Sequence, residues 1–561
     1  MDMFMNASDL LLRILHNHGV RQIYGIPGDA INDILDSIRR QEAIQFVQVR
    51  HEEAGAFAAS GQAKLTGSLA ACMGTSGPGA IHLLNGLYDA KMDHAPVIAI
   101  TGQVATGYIG SEYQQEVDTK RLFADVSVFN EEVTSVDQLP DLFMAACLAA
   151  ISQKGVAHIS LPTNLSGQGF KGFDENRLTS FTHPGKVLPD PGQCEKAAAL
   201  LAAAERPLIF AGIGCRDARP ELLALAERIK APIVRTLRGK DVIDDEHPLC
   251  LGGVGLLGGS PGVHALNHCD VLLIVGCDFP YKEFYPEHAK YIQIDNVASH
   301  LGRRHQIDIG LVGDAAATLV QLAGVLKPVT ERAFLDETRS EMDRWIVRQE
   351  RQRTSDHVSI SPTRLIREIS DRAPRDAIFL SDTGTSTAWT ARHLSICDGR
   401  RYTLSGALAS MAFALPAAIG AQFAYPDRTV IAIAGDGGFG MLMQDFVTAV
   451  RYDLPIIVVI LNNGKLAFIT LEQEASGLPD YGTELANPDY AAVAEACGGL
   501  GITVERPDDI GAAIDRALAA KKATVFNVMV DPDALVMPPE IKLGQVVNFS
   551  LAKMKELFET I

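Results

Sequence analysis

The sequence predicts an α/β protein made of three doubly wound, mainly parallel sheets. Three observations carry that expectation. Short apolar runs recur along the whole 561-residue chain and alternate with helical patterns, as strands covered on both faces do in βαβ units. Two stretches interrupt the alternation. A chain of this length also exceeds what a single hydrophobic core serves.

In the first domain, residues 1–170, the strand-like runs are QFVQV (45–49), LAACM (69–73), VIAIT (97–101) and HISLP (158–162). A connector rich in Gly, Pro and polar residues follows over 171–190. The second domain, residues 191–330, contains PLIFAG (207–212), APIVR (231–235), VLLIVG (271–276) and YIQID (291–295). Its end is marked by a charged helical connector over 331–360. The third domain, residues 361–535, contains AIFLSD (377–382), VIAIAGD (430–436), IIVVILNN (456–463) and VFNVMVD (525–531). In the tail, residues 536–561, Leu551, Met554, Phe558 and Ile561 form an apolar stripe beside Lys553 and Lys555. Packing onto its own subunit is the expectation for that stripe, with a weak peripheral membrane contact as the alternative. No internal repeat stands out.

A net charge of −18, from 50 basic and 68 acidic residues, argues against nucleic acid as a partner. The nine cysteines show no C-x-x-C spacing, so neither a zinc site nor a disulfide framework is indicated. No basic leader precedes the first helical pattern and no apolar run is long enough to span a bilayer. Together these predict a cytoplasmic location, extended to the inner membrane face if the tail binds there.

The stretch AGDGGFG (434–440) has the form G-x-G-x-x-G between a strand and a helix, the pattern of a dinucleotide loop. Two features oppose that reading. The next strand ends in Asn462-Asn463 rather than in an acid, and Asp436 would set a carboxylate against phosphate. A divalent cation, Mg²⁺ or Ca²⁺, removes the conflict, because it takes oxygen ligands and bridges carboxylate to phosphate. Asp436 and Asn463 end successive strands and could share one ion, with the helix N-terminus facing the phosphates. A tight turn beside a polar strand end is the plain alternative. Elsewhere, VRHEEAGAFAA (49–59) places Glu52 and Glu53 at the start of a helix, where acids also serve simply to complement the helix dipole. That plain reading is preferred for Glu53.

GDGGFGMLMQDFVTAVRYDLPIIVVILNN, with R-H-E at 50–52, resembles the thiamine diphosphate enzymes, and the resemblance runs over nearly the whole chain. It implies that Asp436, Asn463 and the main chain of Lys465 hold the metal, and that Glu52 bonds the aminopyrimidine. Met411 would support the bent cofactor. Ala409, Ser410, Gly437, Gly438 and Leu466 complete the expected cofactor contacts, and the loop GTSGPG (74–79) would face the reacting carbons. The resemblance further implies at least a homodimer, with tetramers common, and sites shared between subunits. Within the superfamily the likeness is greatest to pyruvate oxidases and quinone-linked pyruvate dehydrogenases, with acetolactate synthases next. That implies FAD across the middle domain, with Gly255, Leu256, Cys277, Asp278, Phe279, Tyr281 and Asp295 as its contacts and Gly212 and Gly214 as a further turn. It also implies oxidative decarboxylation of pyruvate or a close 2-oxoacid to acetate or acetyl phosphate, with quinone or oxygen as acceptor. Phe468 and Glu472 match substrate-channel positions, and Gln115 matches the glutamine of a family Phe-Gln-Glu segment. Gln114 departs from the phenylalanine there, which leaves non-oxidative carboligation or decarboxylation of another 2-oxoacid as the alternative.

Overall fold

The computed structural model describes residues 5–170, 185–353, 359–397 and 399–534. Three six-stranded sheets, parallel throughout, define three domains. The tail stripe and most of the first connector lie outside the described residues.

In the first domain the strands lie in the order Gln45–Gln48, Gln22–Gly25, Ala70–Gly74, Val97–Gln103, Val156–Pro162 and Ser127–Glu132. In the third the order is Arg401–Leu404, Ile378–Ser381, Val430–Gly435, Ile457–Asn462, Thr524–Met529 and Leu500–Val504. Counted by chain position within each domain, both sheets run 2-1-3-4-6-5, so the first and third domains share one topology. The middle sheet runs Cys250–Gly253, Ile233–Arg235, Pro207–Ala211, Val271–Val275, Lys290–Asp295 and Ile309–Val312. This is 3-2-1-4-5-6, the order whose central crevice suits dinucleotides.

The two like domains meet through one helix pair. Helix Glu52–Thr66 lies against helix Ala414–Ala424, with Gly61 facing Ala417 and Gly420 facing Ala58, so the two run antiparallel. The approach requires small residues: a Cβ on Gly420 would lie 2.1 Å from the Ala58 oxygen. Phe57 and Phe413 close the contact edge to face at 5.8 Å. A single apolar cluster therefore runs through both domains. The middle domain is tied to both by Asp241, buried, which accepts from Arg216 of its own domain at 3.1 Å and from Arg401 of the third at 3.0 Å. Arg216 in turn donates to the Lys64 carbonyl of the first.

The charged connector forms helix Ala333–Arg353, which is seated on the middle domain. Its Phe334 is buried in a middle-domain cluster, and Glu337 pairs with Arg206 at 2.8 Å.

Candidate active site

In the third domain, Asp436 stands where strand Val430–Gly435 turns into helix Asp436–Leu442. Its side chain is buried and is met by neutral donors: Gly437 N–H at 3.0 Å, Gly464 N–H at 2.8 Å and the Asn487 amide at 2.7 Å. Burial outweighs these bonds and pushes the Asp436 carboxyl up from its ordinary range. Tyr490 donates its hydroxyl to the Asp436 carbonyl at 3.0 Å and fixes the turn. The strand that ends in Asn462 pairs directly with the strand that ends before Asp436. The Asn463 amide oxygen accepts from Lys465 N–H at 3.2 Å. A desolvated carboxylate, an amide oxygen and a main-chain carbonyl on neighbouring strand ends are a hard-oxygen donor set, and such a set fits Mg²⁺ or Ca²⁺.

Beside this set, Met411, Leu466 and Leu485 converge on Gly437, where an added Cβ would lie 3.4, 2.8 and 3.2 Å from their side chains. Met411 is flanked by two non-glycine residues in the left-handed region, Ala409 at φ 56° and Ala412 at φ 69°. Each such residue stores about 1–3 kcal/mol and persists only where its surroundings hold it. Asp382 is one holder, accepting from Thr383, Ala412 and Phe413 N–H groups at 2.9, 3.1 and 3.2 Å. Burial pushes its carboxyl up to about 7 despite those bonds. Its Oδ2 stands 2.3 Å from where a Cβ on Gly438 would be, so only glycine fits there. Ser410 N–H is held by Ser405 Oγ at 2.9 Å.

In the first domain, Glu52 is the first residue of its helix, after His51 as N-cap. It is buried, with Oε2 2.9 Å from His82 Nδ1. The rings of His82 and His51 stack at 4.4 Å. The loop GTSGPG closes over the same corner: a Cβ on Gly79 would lie 3.3 Å from Glu52 Oε1. Gln115 abuts that loop, with φ 63° and its Oε1 3.4 Å from Ser76 Oγ. Gln114 is exposed. Glu53 does more than complement a dipole: it accepts from the Asn85 amide at 2.6 Å, and that amide also donates to Ser410 at 3.1 Å, across the domain boundary. Phe468 and Glu472 follow the metal-type loop on one face of helix Ala467–Ala475, the first half-buried and the second exposed.

Three segments match thiamine pyrophosphate enzyme domains: residues 5–122 the N-terminal TPP binding domain, 194–322 the central domain and 382–528 the C-terminal TPP binding domain. The chain belongs to the thiamine pyrophosphate enzyme family. It is 40% identical to the protein YdaP of Bacillus subtilis (strain 168) over 558 residues, covering 99% of this chain and 96% of that one. It is 32% identical to the pyruvate oxidase of Lactiplantibacillus plantarum over 553 residues, 97% of this chain and 91% of that one. Identity to the acetolactate synthase isozyme 2 large subunit of Escherichia coli (strain K12) is 31% over 551 residues, 95% and 97% of the two chains.

In this thiamine diphosphate enzyme, Asp436, Asn463 and the Lys465 carbonyl are the residues that would hold the metal and diphosphate, and Glu52 the one that would meet the aminopyrimidine. The polar contacts of Glu52 stay within the first domain and those of Asp436 within the third, so separate domains build the two halves. Most of the middle-domain residues gather at the carboxyl ends of three adjacent strands, Pro207–Ala211, Val271–Val275 and Lys290–Asp295, while Gly255 and Leu256 follow the edge strand Cys250–Gly253. Gly212 and Gly214 pack on Gly276 and Cys277, where a Cβ on Gly212 would lie 2.1 Å from the Gly276 oxygen. Asp278 pairs with Arg304 at 2.8 Å, and Asp295 lies 3.3 Å from His300. Phe279 is buried among aromatic rings, one of them Phe210 at 5.3 Å, and its ring lies 3.0 Å from where a Cβ on Gly255 would be. Leu256 and Tyr281 are exposed.

Sequence reasoning missed His82, Asn85, Asp382, Asn487 and Tyr490. The one available signal was Asp382, an acid ending the strand-like run AIFLSD. His82, Asn85, Asn487 and Tyr490 act through contacts formed only on folding.

Proposed function

We propose that this thiamine diphosphate enzyme decarboxylates pyruvate, or a close 2-oxoacid, oxidatively, with FAD in the middle domain and quinone or oxygen as final acceptor. One observation carries the reading: the middle sheet has 3-2-1-4-5-6 order, and Gly212, Gly214 and Gly276 meet in its central crevice, where dinucleotides bind in such sheets. The likeness to a pyruvate oxidase supports it.

Bound thiamine diphosphate supplies the electron sink for carbon dioxide loss. The chain's own residues bind and orient. Glu52 holds or donates a proton at the aminopyrimidine nitrogen, and His82 fixes the carboxylate that does so. Met411, kept in place by Asp382, supports the cofactor's bend. The loop Gly74–Gly79, with Gln115 against it, covers the substrate side, and Phe468 and Glu472 line the approach. The two halves of the site come from different copies in a homodimer or homotetramer. None of the described helices is long and apolar enough to cross a membrane; the reading places the enzyme in the cytoplasm, with tail contact to a membrane as an added feature.

The test is the visible spectrum of the purified protein before and after anaerobic pyruvate. Bleaching of a flavin band, with acetate or acetyl phosphate as product, supports the reading; a flavin band unchanged by pyruvate overturns it. Glutamine at 114, where the resemblance expects phenylalanine, and the likeness to acetolactate synthases favour a second reading, non-oxidative carboligation. Acetolactate or acetoin as the main product would establish that one.

A further inference from the structure

We propose that Asp445 is a positioning residue for Glu52, a carboxylate of the third domain that fixes the turn on which the first domain carries its acid. The inference rests on Glu52 being the partner of thiamine diphosphate.

Strand Gln45–Gln48 lies at the edge of its sheet, so one side of it and of the turn that follows lacks a strand partner. The third domain supplies one. Asp445 Oδ1 accepts from Arg50 N–H at 2.8 Å, and the Tyr452 hydroxyl accepts from Gln48 N–H at 2.8 Å. Thr448 Oγ1 donates to Asp445 Oδ1 at 2.9 Å and sets the plane of the carboxylate. Arg50 precedes the N-cap His51, and His51 precedes Glu52, so fixing this amide fixes the angle at which the helix and its first side chain emerge. Asp445 is fully buried, and its Oδ2 has no hydrogen-bond partner. Burial raises its carboxyl to about 6. A buried acid with one unpartnered oxygen calls for an explanation, and the bond from its other oxygen to Arg50 N–H supplies one.

The opposite arrangement stands beside it. Asp93 of the first domain, also buried, accepts from Gly406 and Ala407 N–H groups at 2.9 and 3.0 Å, just before the segment that carries Ser410 and Met411. Lys64 at 2.7 Å and Arg238 at 3.1 Å hold that carboxylate. Each like domain thus offers one buried carboxylate to the backbone that presents the other's working side chain.

The experiment is the hydrogen–deuterium exchange rate at the C2 position of thiamine diphosphate bound to the intact protein, read by NMR after acid quench at saturating cofactor and Mg²⁺. It needs Glu52 but no substrate, so it is independent of which 2-oxoacid reacts. Glu52→Gln should nearly abolish exchange. Asp445→Ala should slow it about tenfold, less than the roughly hundredfold that a 1 Å misplacement costs, with cofactor affinity unchanged. Asp445→Asn keeps an acceptor for Arg50 and should restore most of the rate. Thr448→Val, a milder change for use if Asp445→Ala does not fold, should slow exchange by a smaller factor. Wild-type exchange in the Asp445 and Thr448 variants, with Glu52→Gln inactive, overturns the positioning role alone. Equal losses in Asp445→Asn and Asp445→Ala also overturn it, since charge rather than placement would then matter. Wild-type exchange in Glu52→Gln overturns the thiamine role of Glu52 and this inference with it.

Discussion

His82 Nδ1 lies 2.9 Å from Glu52 Oε2, and the two residues come from helices on either side of the loop that covers the site. The imidazole is partly exposed while the carboxylate is buried. The contact therefore orients an otherwise solvent-poor acid from its wet side.

Replacing His82 with Phe keeps a ring against His51 and removes the nitrogen facing Glu52. We expect kcat/KM for 2-oxoacid decarboxylation to fall about tenfold, near the low end of what a hydrogen bond to a charged group is worth. Steady-state kinetics across pH checks this; a rate and pH profile equal to wild type would refute the orienting role.

Asn487 does not match the expected metal ligands but donates to Asp436 at 2.7 Å and to Asn462 at 3.1 Å. Asn487→Ala should weaken Mg²⁺-dependent binding of thiamine diphosphate about 10–100-fold, the usual effect of losing a partner of a ligand. Titration of cofactor at fixed Mg²⁺, with EDTA as the metal-free reference, reads it directly.

Asp382 gives a pH prediction. Its folded carboxyl is raised to about 7 from an ordinary 3.8, so the folded state holds this proton more tightly than the unfolded chain. Stability from this group is highest below about pH 4 and is lost as pH rises through about 7. Asp445, raised to about 6, acts in the same direction. In cofactor-free protein, Asp382→Asn should flatten the decline in urea stability between about pH 4 and pH 7. An unchanged slope would sink the assignment.

Gly420→Ala inserts a methyl 2.1 Å from the Ala58 oxygen. Backbone cannot yield as a flexible side chain does, so a loss of at least about 1–3 kcal/mol is expected. Denaturant unfolding of the variant measures it, and Gly19→Ala, where nothing lies within 4 Å but φ is +93°, separates crowding from backbone strain.

The fold class and the central strands were legible because parallel strands buried on both faces are nearly continuous apolar runs, as Ile457–Asn462 and Val271–Val275 are. The runs did not reveal Ser127–Glu132, Cys250–Gly253, Ile309–Val312, Arg401–Leu404 or Leu500–Val504. All five are sheet edges, where one side of the strand lacks a partner and polar or glycine residues are tolerated. Gln22–Gly25 was missed because only Ile23 and Tyr24 in it are large apolar residues, set between Arg21-Gln22 and Gly25. Asp436 and Asn463 were singled out as candidate metal ligands because both sit in local motifs at strand ends, and the structure sets those strand ends side by side. His82, Asp382 and Asn487 were not, because each gains its meaning from a backbone turn or carboxylate brought to it from elsewhere in the chain. The kinship of the first and third domains was hidden for the same reason: strand order is a property of pairing, and their apolar runs differ in sequence.

The helix pair that joins the first and third domains bears on how the chain reaches its native state. The helix pair Glu52–Thr66 and Ala414–Ala424 joins segments separated by most of the polypeptide, and its small-residue surfaces are the same on every copy. During refolding, the first domain of one molecule meets the third domain of another with the surface it would use on its own. Concentration then decides between correct closure and exchange of domains among chains. Dilute refolding, or synthesis slow enough for each chain to close on itself, favours the closed form.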